Sequence, residues 1–133
     1  MLDKTVTERI VTGLQTTAGT AEETLNLALD GAAPAASLAV PAGQKWAISD
    51  LEICVLSTIV ELLLQESRDG GATWFNHFVT RFDTALNNSQ SRQFSFKSPI
   101  GIVGAANKLF RARVRTPQGA QIVTFTMRLV TDP

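Results

Sequence analysis

The chain has 133 residues, 44% hydrophobic and 18% charged, with 12 Lys and Arg balanced by 12 Asp and Glu. That length suits one domain, which buries roughly two-thirds of its unfolded surface and needs no disulfide or metal staples. A formal net charge of zero argues against a whole-chain pull toward nucleic acid or a membrane surface, and it leaves little self-repulsion to oppose assembly.

In chain order, nearly every segment reads as a β-strand. Thr5 to Thr12 is rich in β-branched residues, which suit a pleated surface. Leu14 to Ala21 reads as a link, so residues 1–21 are expected to form an N-terminal arm and link, with the folded domain in residues 22–133. Thr24 to Leu29 alternates and places Leu25, Leu27 and Leu29 on one face. After a turn at Asp30-Gly31-Ala32-Ala33-Pro34, Ser37 to Val40 is a short strand stopped by Pro41-Ala42-Gly43. In Lys45 to Leu56 the apolar face runs through Trp46 and Ile48, then changes phase near Ser49-Asp50 to Leu51, Ile53 and Val55. An inserted residue or bulge produces such a phase change. Cys54, the single cysteine, rules out an internal disulfide and is expected to pack as a small apolar residue.

Ile59 to Leu64 is a strand that leads directly into Asp69-Gly70-Gly71, and its nearly continuous apolarity implies burial on both faces. Asp-Gly-Gly between apolar runs is a strong hairpin signal, because glycine accepts a positive φ without a Cβ clash. The return arm is Phe75 to Phe82. Asp83 to Ser91 is polar and loop-like, and Gln93 to Lys97 directs Phe94 and Phe96 to the core. Ser98-Pro99 interrupts before a short edge piece, Ile100 to Val103. Lys108 to Arg115 places Phe110, Ala112 and Val114 inward and Arg111, Arg113 and Arg115 outward. Beyond a turn at Thr116 to Gly119, Gln121 to Val130 points Val123, Phe125, Met127 and Leu129 inward. Eight to ten closely spaced strands with Gly and Pro turns predict an all-β fold, an antiparallel β-sandwich of jelly-roll type with an extended N-terminal arm.

Few residues point to catalysis. His77 is the one histidine, no Gly-x-Ser-x-Gly occurs, and it is expected to be a surface or rim side chain without a nucleophile partner. One Cys and one His do not make a zinc site, and no cofactor, metal or catalytic residue is expected. The arginines at 111, 113 and 115 stand about 7 Å apart along one strand. Arg128 joins them if the Thr116 to Gly119 turn closes a hairpin. Two readings stand: a docking stripe for an acidic partner, or a solvated face with local acid partners that keeps an edge unsticky. Nucleic acid is disfavoured, because no aromatic residue interleaves the arginines in sequence. Val6 and Ile10 are the candidate contacts in the N-terminal arm.

Ser67-Arg68-Asp69-Gly70-Gly71-Ala72-Thr73-Trp74 resembles the Asp-box hairpin of sialidase-like propellers, a structural device, with Ser67, Asp69, Gly71, Thr73 and Trp74 in the specified places. It occurs once, which excludes a propeller built of such blades. Val40-Pro41-Ala42-Gly43-Gln44-Lys45-Trp46-Ala47-Ile48 looks like a turn of small jelly-roll virion proteins of tailed bacteriophages. With the hairpin and the Thr/Ala-rich arm, the chain resembles capsid decoration (cement) proteins and related head or tail accessory proteins. That resemblance implies a non-enzymatic, trimer-forming homo-oligomer that binds the major capsid protein or another virion protein and stabilises the shell. The expected location is the virion, after synthesis in the host cytoplasm, since Met1 to Thr5 has no signal-peptide core and no stretch approaches 18 apolar residues. The alternatives are a head-tail or tail and baseplate accessory protein, or a carbohydrate-binding β-sandwich using Trp46 or Trp74.

Overall fold

A computed structural model describes residues 7–16, 21–55, 59–83, 90–116 and 122–132. They form ten strands: β1 (Thr7–Thr16), β2 (Glu23–Thr24), β3 (Leu27–Leu29), β4 (Leu38–Ala39), β5 (Lys45–Val55), β6 (Ile59–Ser67), β7 (Phe75–Asp83), β8 (Gln90–Val103), β9 (Leu109–Arg115) and β10 (Ile122–Asp132). Two antiparallel sheets result. The first has the order β3-β1-β10-β5-β8. The second has the order β2-β9-β6-β7, with β4 also paired to β9. The expected all-β sandwich is what the chain adopts.

The core lies between the sheets and is built by alternation. From the first sheet come Val11, Trp46, Ile48, Leu51, Ile53, Val123, Phe125, Met127 and Leu129, and from the second Leu62, Leu64, Phe110, Ala112 and Val114, all buried. Phe78 of β7 meets Phe94 and Phe96 of β8 edge-to-face, with ring centroids 5.3 and 5.2 Å apart. These contacts join the edge strand of one sheet to the edge strand of the other.

The phase change in β5 is a bulge. Arg128 pairs with Asp50 and Leu129 with Ile48, which leaves Ser49 as the extra residue, its hydroxyl donating to the Arg128 carbonyl at 3.3 Å. On the other side Ile48 pairs with Ile100 and Asp50 with Ser95, so Phe96 to Pro99 is looped out of register in β8. Pro99 has no N–H to offer a ladder, and β8 tolerates it as an edge strand. The two pieces expected on either side of Ser98-Pro99 are one strand.

Three expectations are corrected. Residues Thr7–Thr16 are not an arm. They form β1, paired to β10 along its whole length and to β3 on the other side, with Val11 buried. A strand that alternates and fills the core is held by its own sheet, and Leu14, Gln15 and Thr16 of the segment expected to be a link belong to it, while residues 17–20 lie outside the described residues. Thr24 to Leu29 is not one strand, because β2 pairs with β9 in the second sheet while β3 pairs with β1 in the first. Leu25 and Leu27 are both buried at this crossing. Finally, β9 and β10 do not form a hairpin, because they belong to different sheets. Val6 and residues 117–120 lie outside the described residues.

Gly104 packs against the Pro41 to Gln44 turn and donates its N–H to the Gln44 carbonyl at 2.7 Å. A Cβ there would lie 1.7 Å from the Pro41 carbonyl oxygen. Gly104→Ala is therefore expected to cost about 2 kcal/mol or more, since backbone on both sides must move. A urea unfolding curve that matches wild type would contradict this close approach.

Candidate functional site

The outer face of the second sheet holds the chemistry, and strand register builds it in three rows. Burying Phe110, Ala112 and Val114 turns Arg111, Arg113 and Arg115 outward on β9. Central strand β6 offers Glu61, Leu63 and Gln65 opposite them, and β7 completes each row. The rows read Arg115–Glu61–Arg81, Arg113–Leu63–Val79 and Arg111–Gln65–Asn76. Strand geometry spaces successive rows about 7 Å apart.

Each row has its own character. In the first, the single carboxylate of Glu61 lies 3.6 Å from both Arg81 and Arg115. In the second, Leu63 and Val79 form an apolar centre, and Val79 is 58% exposed. The Arg113 beside them has its Nε 2.6 Å from Glu22 Oε1, an ion pair at an angle that falls short of a hydrogen bond. Its Nη2 donates to the Glu22 carbonyl at 3.2 Å. The third row is a chain of bonds, with Arg111 Nε donating to Gln65 Oε1 at 2.8 Å and Gln65 Nε2 to Asn76 Oδ1 at 2.9 Å. The Arg111 guanidinium also lies 3.9 Å from the centre of the Trp74 ring, a cation–π stack. Burial, and next the charge of Arg113, lower its pKa.

Local acid partners, one of the two readings of the arginine stripe, are present for Arg113 and Arg115, while Arg111 bonds the Gln65 amide. The stacking aromatic comes from another strand, which the linear sequence could not display. The expected link to Arg128 is corrected: Arg128 lies on the outer face of the first sheet, between Ile10 and Asp50. Ile10 is also on that outer face and is 43% exposed. Leu63 is half-buried, so β6 is covered more completely on its core face, where Leu62 and Leu64 are fully buried, than the expected two-sided burial. Cys54 is half-buried on the outer face of β5, with Sγ 4.0 Å from Glu52 Oε1, rather than in the core.

The Asp-box-like hairpin frames one end of the site. Ser67 Oγ accepts the Gly71 N–H at 2.8 Å and donates to Asp69 Oδ1 at 2.8 Å. The same Asp69 oxygen accepts the Thr73 N–H at 2.8 Å, and Trp74 Nε1 donates to the Gly71 carbonyl at 3.0 Å. Gly70 and Gly71 have φ of 73° and 102°, values that only glycine adopts without strain. The Thr73 N–H, and next the Ser67 hydroxyl, hold the Asp69 carboxyl down to about 2. A backbone bond also ties the hairpin to the segment before β9, from Gly70 N–H to the Asn107 carbonyl at 3.0 Å.

Beneath the hairpin lies a charge cluster that the sequence reading missed. Glu66 is 3% exposed and receives Lys108 on one oxygen and His77 Nε2 on the other at 2.8 Å, with Arg68 at 3.3 Å. His77 is 25% exposed and bonds an acid, Glu66, instead of a nucleophile. Leu64 pairs with Phe78 and Gln65 with Asn76, so His77 is the extra residue of a bulge, and the bulge brings its ring to Glu66. Burial pushes the Glu66 carboxyl up, but the Lys108 and His77 hydrogen bonds and charges outweigh it, and its pKa is lowered. The sequence signal was the mismatch between Glu66 and the inward phase of β6. Among the described residues no group of three or more metal-ligating side chains comes together.

No protein-family model matches the sequence, and no curated protein matches it. A chain from the structure "Bacillus endospore appendages form a novel family of disulfide-linked pili" is similar in fold, with a TM-score of 0.48 and 13% identity over 96% of this chain and 88% of that one. So distant a likeness says nothing about function. No helix is long and apolar enough to cross a membrane among the described residues.

The lowered carboxyls of Glu66 and Asp69 set an expected pH dependence. A depressed folded pKa contributes stability above the unfolded value, and that stability is lost as pH falls through the folded value. Unfolding free energy is expected to fall from near pH 4.5, the ordinary glutamate value, down toward the Asp69 value of about 2. Glu66→Gln should flatten the upper part of that fall and lower stability at neutral pH, because Lys108 then lies buried without its counter-charge. Urea titrations across this pH range check it, and parallel curves for the two proteins would contradict it.

Proposed function

We propose that this chain is a non-catalytic assembly protein that docks on other protein surfaces through the outer face of the second sheet, in the setting of a virion decoration or related accessory protein. The observation that carries the reading is the second row: an apolar pair, exposed Val79 beside half-buried Leu63, framed by Arg81, Arg111, Arg113 and Arg115. An apolar centre with arginine around it is the composition of protein–protein interfaces, and Trp and Arg are the residues most enriched among those that dominate binding energy. The Trp74–Arg111 stack preorganises one such pair, so little side-chain entropy is lost on contact. A protein that binds only the assembled shell stabilises it by mass action. The capsid partner, homo-oligomeric state and virion location belong to this proposal and rest on the motif resemblance.

The carbohydrate-binding alternative loses support from the two tryptophans. Trp46 is 1% exposed in the core, and Trp74 is engaged by Arg111 on one side of the hairpin. Neither offers a free ring over a groove.

Co-sedimentation with assembled phage shells tests the proposal. Val79→Asp places a charge in the apolar centre from an exposed edge-strand position and is expected to weaken shell binding about tenfold or more while the thermal melt stays near wild type. Equal pelleting of the variant and wild type would remove this face from the reading.

A further inference from the structure

The proposed docking face has a counterpart on the opposite side of the same molecule. The outer face of the first sheet is also built in rows, Ile10–Arg128–Asp50–Ser95 and Thr12–Thr126–Glu52–Gln93. At the β5 bulge these rows form a depression of about 270 Å³, lined by Asp50, Glu52, Gln93, Ser95, Thr126 and Arg128. It holds two carboxylates and one guanidinium. The row Arg115–Glu61–Arg81 holds the reverse, two guanidiniums and one carboxylate. Asp50 and Glu52 are two residues apart on one strand, as are Arg113 and Arg115, so both sets repeat at about 7 Å. Apolar groups accompany the charges on both faces: Ile10, Leu14 and Ile122 are 43, 67 and 45% exposed on the first sheet, and Val79 is 58% exposed on the second.

We propose that the outer face of the second sheet docks on the outer face of the first sheet of a second copy of this chain, with the Arg115–Glu61–Arg81 row over the Asp50 and Glu52 depression. This inference rests on the reading of the second sheet's outer face as a docking face: copies join one another through it, and the end copy whose second-sheet face stays unused presents that face to the shell. Charge complementarity singles out the second copy. Formal charge is zero over the whole chain, yet the Arg115–Glu61–Arg81 row is net positive and the depression with Asp50, Glu52 and Arg128 is net negative, so each copy carries both halves of the match. Aligned sheets pack face to face at about 10 Å, which lets two row lattices of equal spacing register. Because the two faces differ, the contact is heterologous. It leaves an unused face at each end, and association continues beyond a dimer unless the rotation closes a ring.

Charge swapping tests this with local pairing preserved. One variant carries Glu61→Lys, Arg81→Glu and Arg115→Glu, which turns that row from net positive to net negative. The other carries Asp50→Lys, Glu52→Lys and Arg128→Glu, which inverts the depression. Sedimentation velocity across a concentration series, with circular dichroism confirming the fold of each variant, reads association. Wild type is expected to associate with rising concentration and to dissociate at about 0.5 M salt. Each variant alone should lose association about tenfold or more, because like charges then face each other. An equimolar mixture should regain it, since each variant's native face then meets its complement and the two swapped faces meet each other. A monomeric wild type at every concentration, a variant that associates as wild type does, or a mixture that stays monomeric would overturn the inference. A monomeric wild type that pellets with shells, and loses pelleting on Val79→Asp, overturns this inference and leaves the docking-face reading standing.

Discussion

The packing of Phe110, Ala112 and Val114 against Leu62 and Leu64 is the constraint on which the second sheet depends. Side chains alternate along a strand, so fixing these inward residues fixes every outward one. A slip of one residue would bury three arginines and expose three core residues, and no local pairing could offset that. The rows Arg115–Glu61–Arg81, Arg113–Leu63–Val79 and Arg111–Gln65–Asn76 are therefore a consequence of core packing as much as of surface chemistry. Register places each carboxylate or amide of β6 between its partners on both sides.

Bulges supply the exceptions to this alternation, and both mark places where charged groups meet. The extra residue Ser49 lets β5 return Leu51 and Ile53 to the core while Asp50 and Glu52 stay outward beside Arg128. The extra residue His77 aims a titratable ring at Glu66, which alternation carries into the end of the sandwich. A buried carboxylate is costly without partners, and Lys108, His77 and Arg68 supply them. The cluster also ties β6 and β7 to the segment before β9, where the Gly70 to Asn107 backbone bond makes a second tie. Hairpin, loop and docking rows thus form one supported unit, and the Trp74 ring that ends the hairpin becomes the platform for Arg111.

Much of this was legible in the sequence where one strand alone decides the outcome. The alternation in Leu109 to Arg115 and Ile122 to Val130, the phase change at Ser49-Asp50 and the Ser67 to Trp74 turn all appear in the structure as read. Each depends on a periodicity or a turn chemistry that neighbours in sequence fully express. The errors fell where pairing partners decide. Thr7–Thr16 looked like an arm because a β-branched strand carries no mark of which strand will cover it. Thr24 to Leu29 looked like one strand because Leu25, Leu27 and Leu29 alternate, although the chain changes sheets between them. His77 looked partnerless because its partner is eleven residues away across a bulge.

By itself, then, the sequence determined the fold class, the core faces of the long strands, the hairpin and the outward direction of Arg111, Arg113 and Arg115. All of these follow from the two-residue period of a strand and from the φ preferences of glycine. Only the tertiary structure decided which strands share a sheet, and so separated Arg128 from the other arginines and set Trp74 beside Arg111. It alone placed Glu61 between two guanidiniums and Asp50 and Glu52 on the opposite face. The physical reason is that strand pairing is non-local: hydrogen-bonding edges are alike from strand to strand, and the choice among them is made by packing the whole core at once.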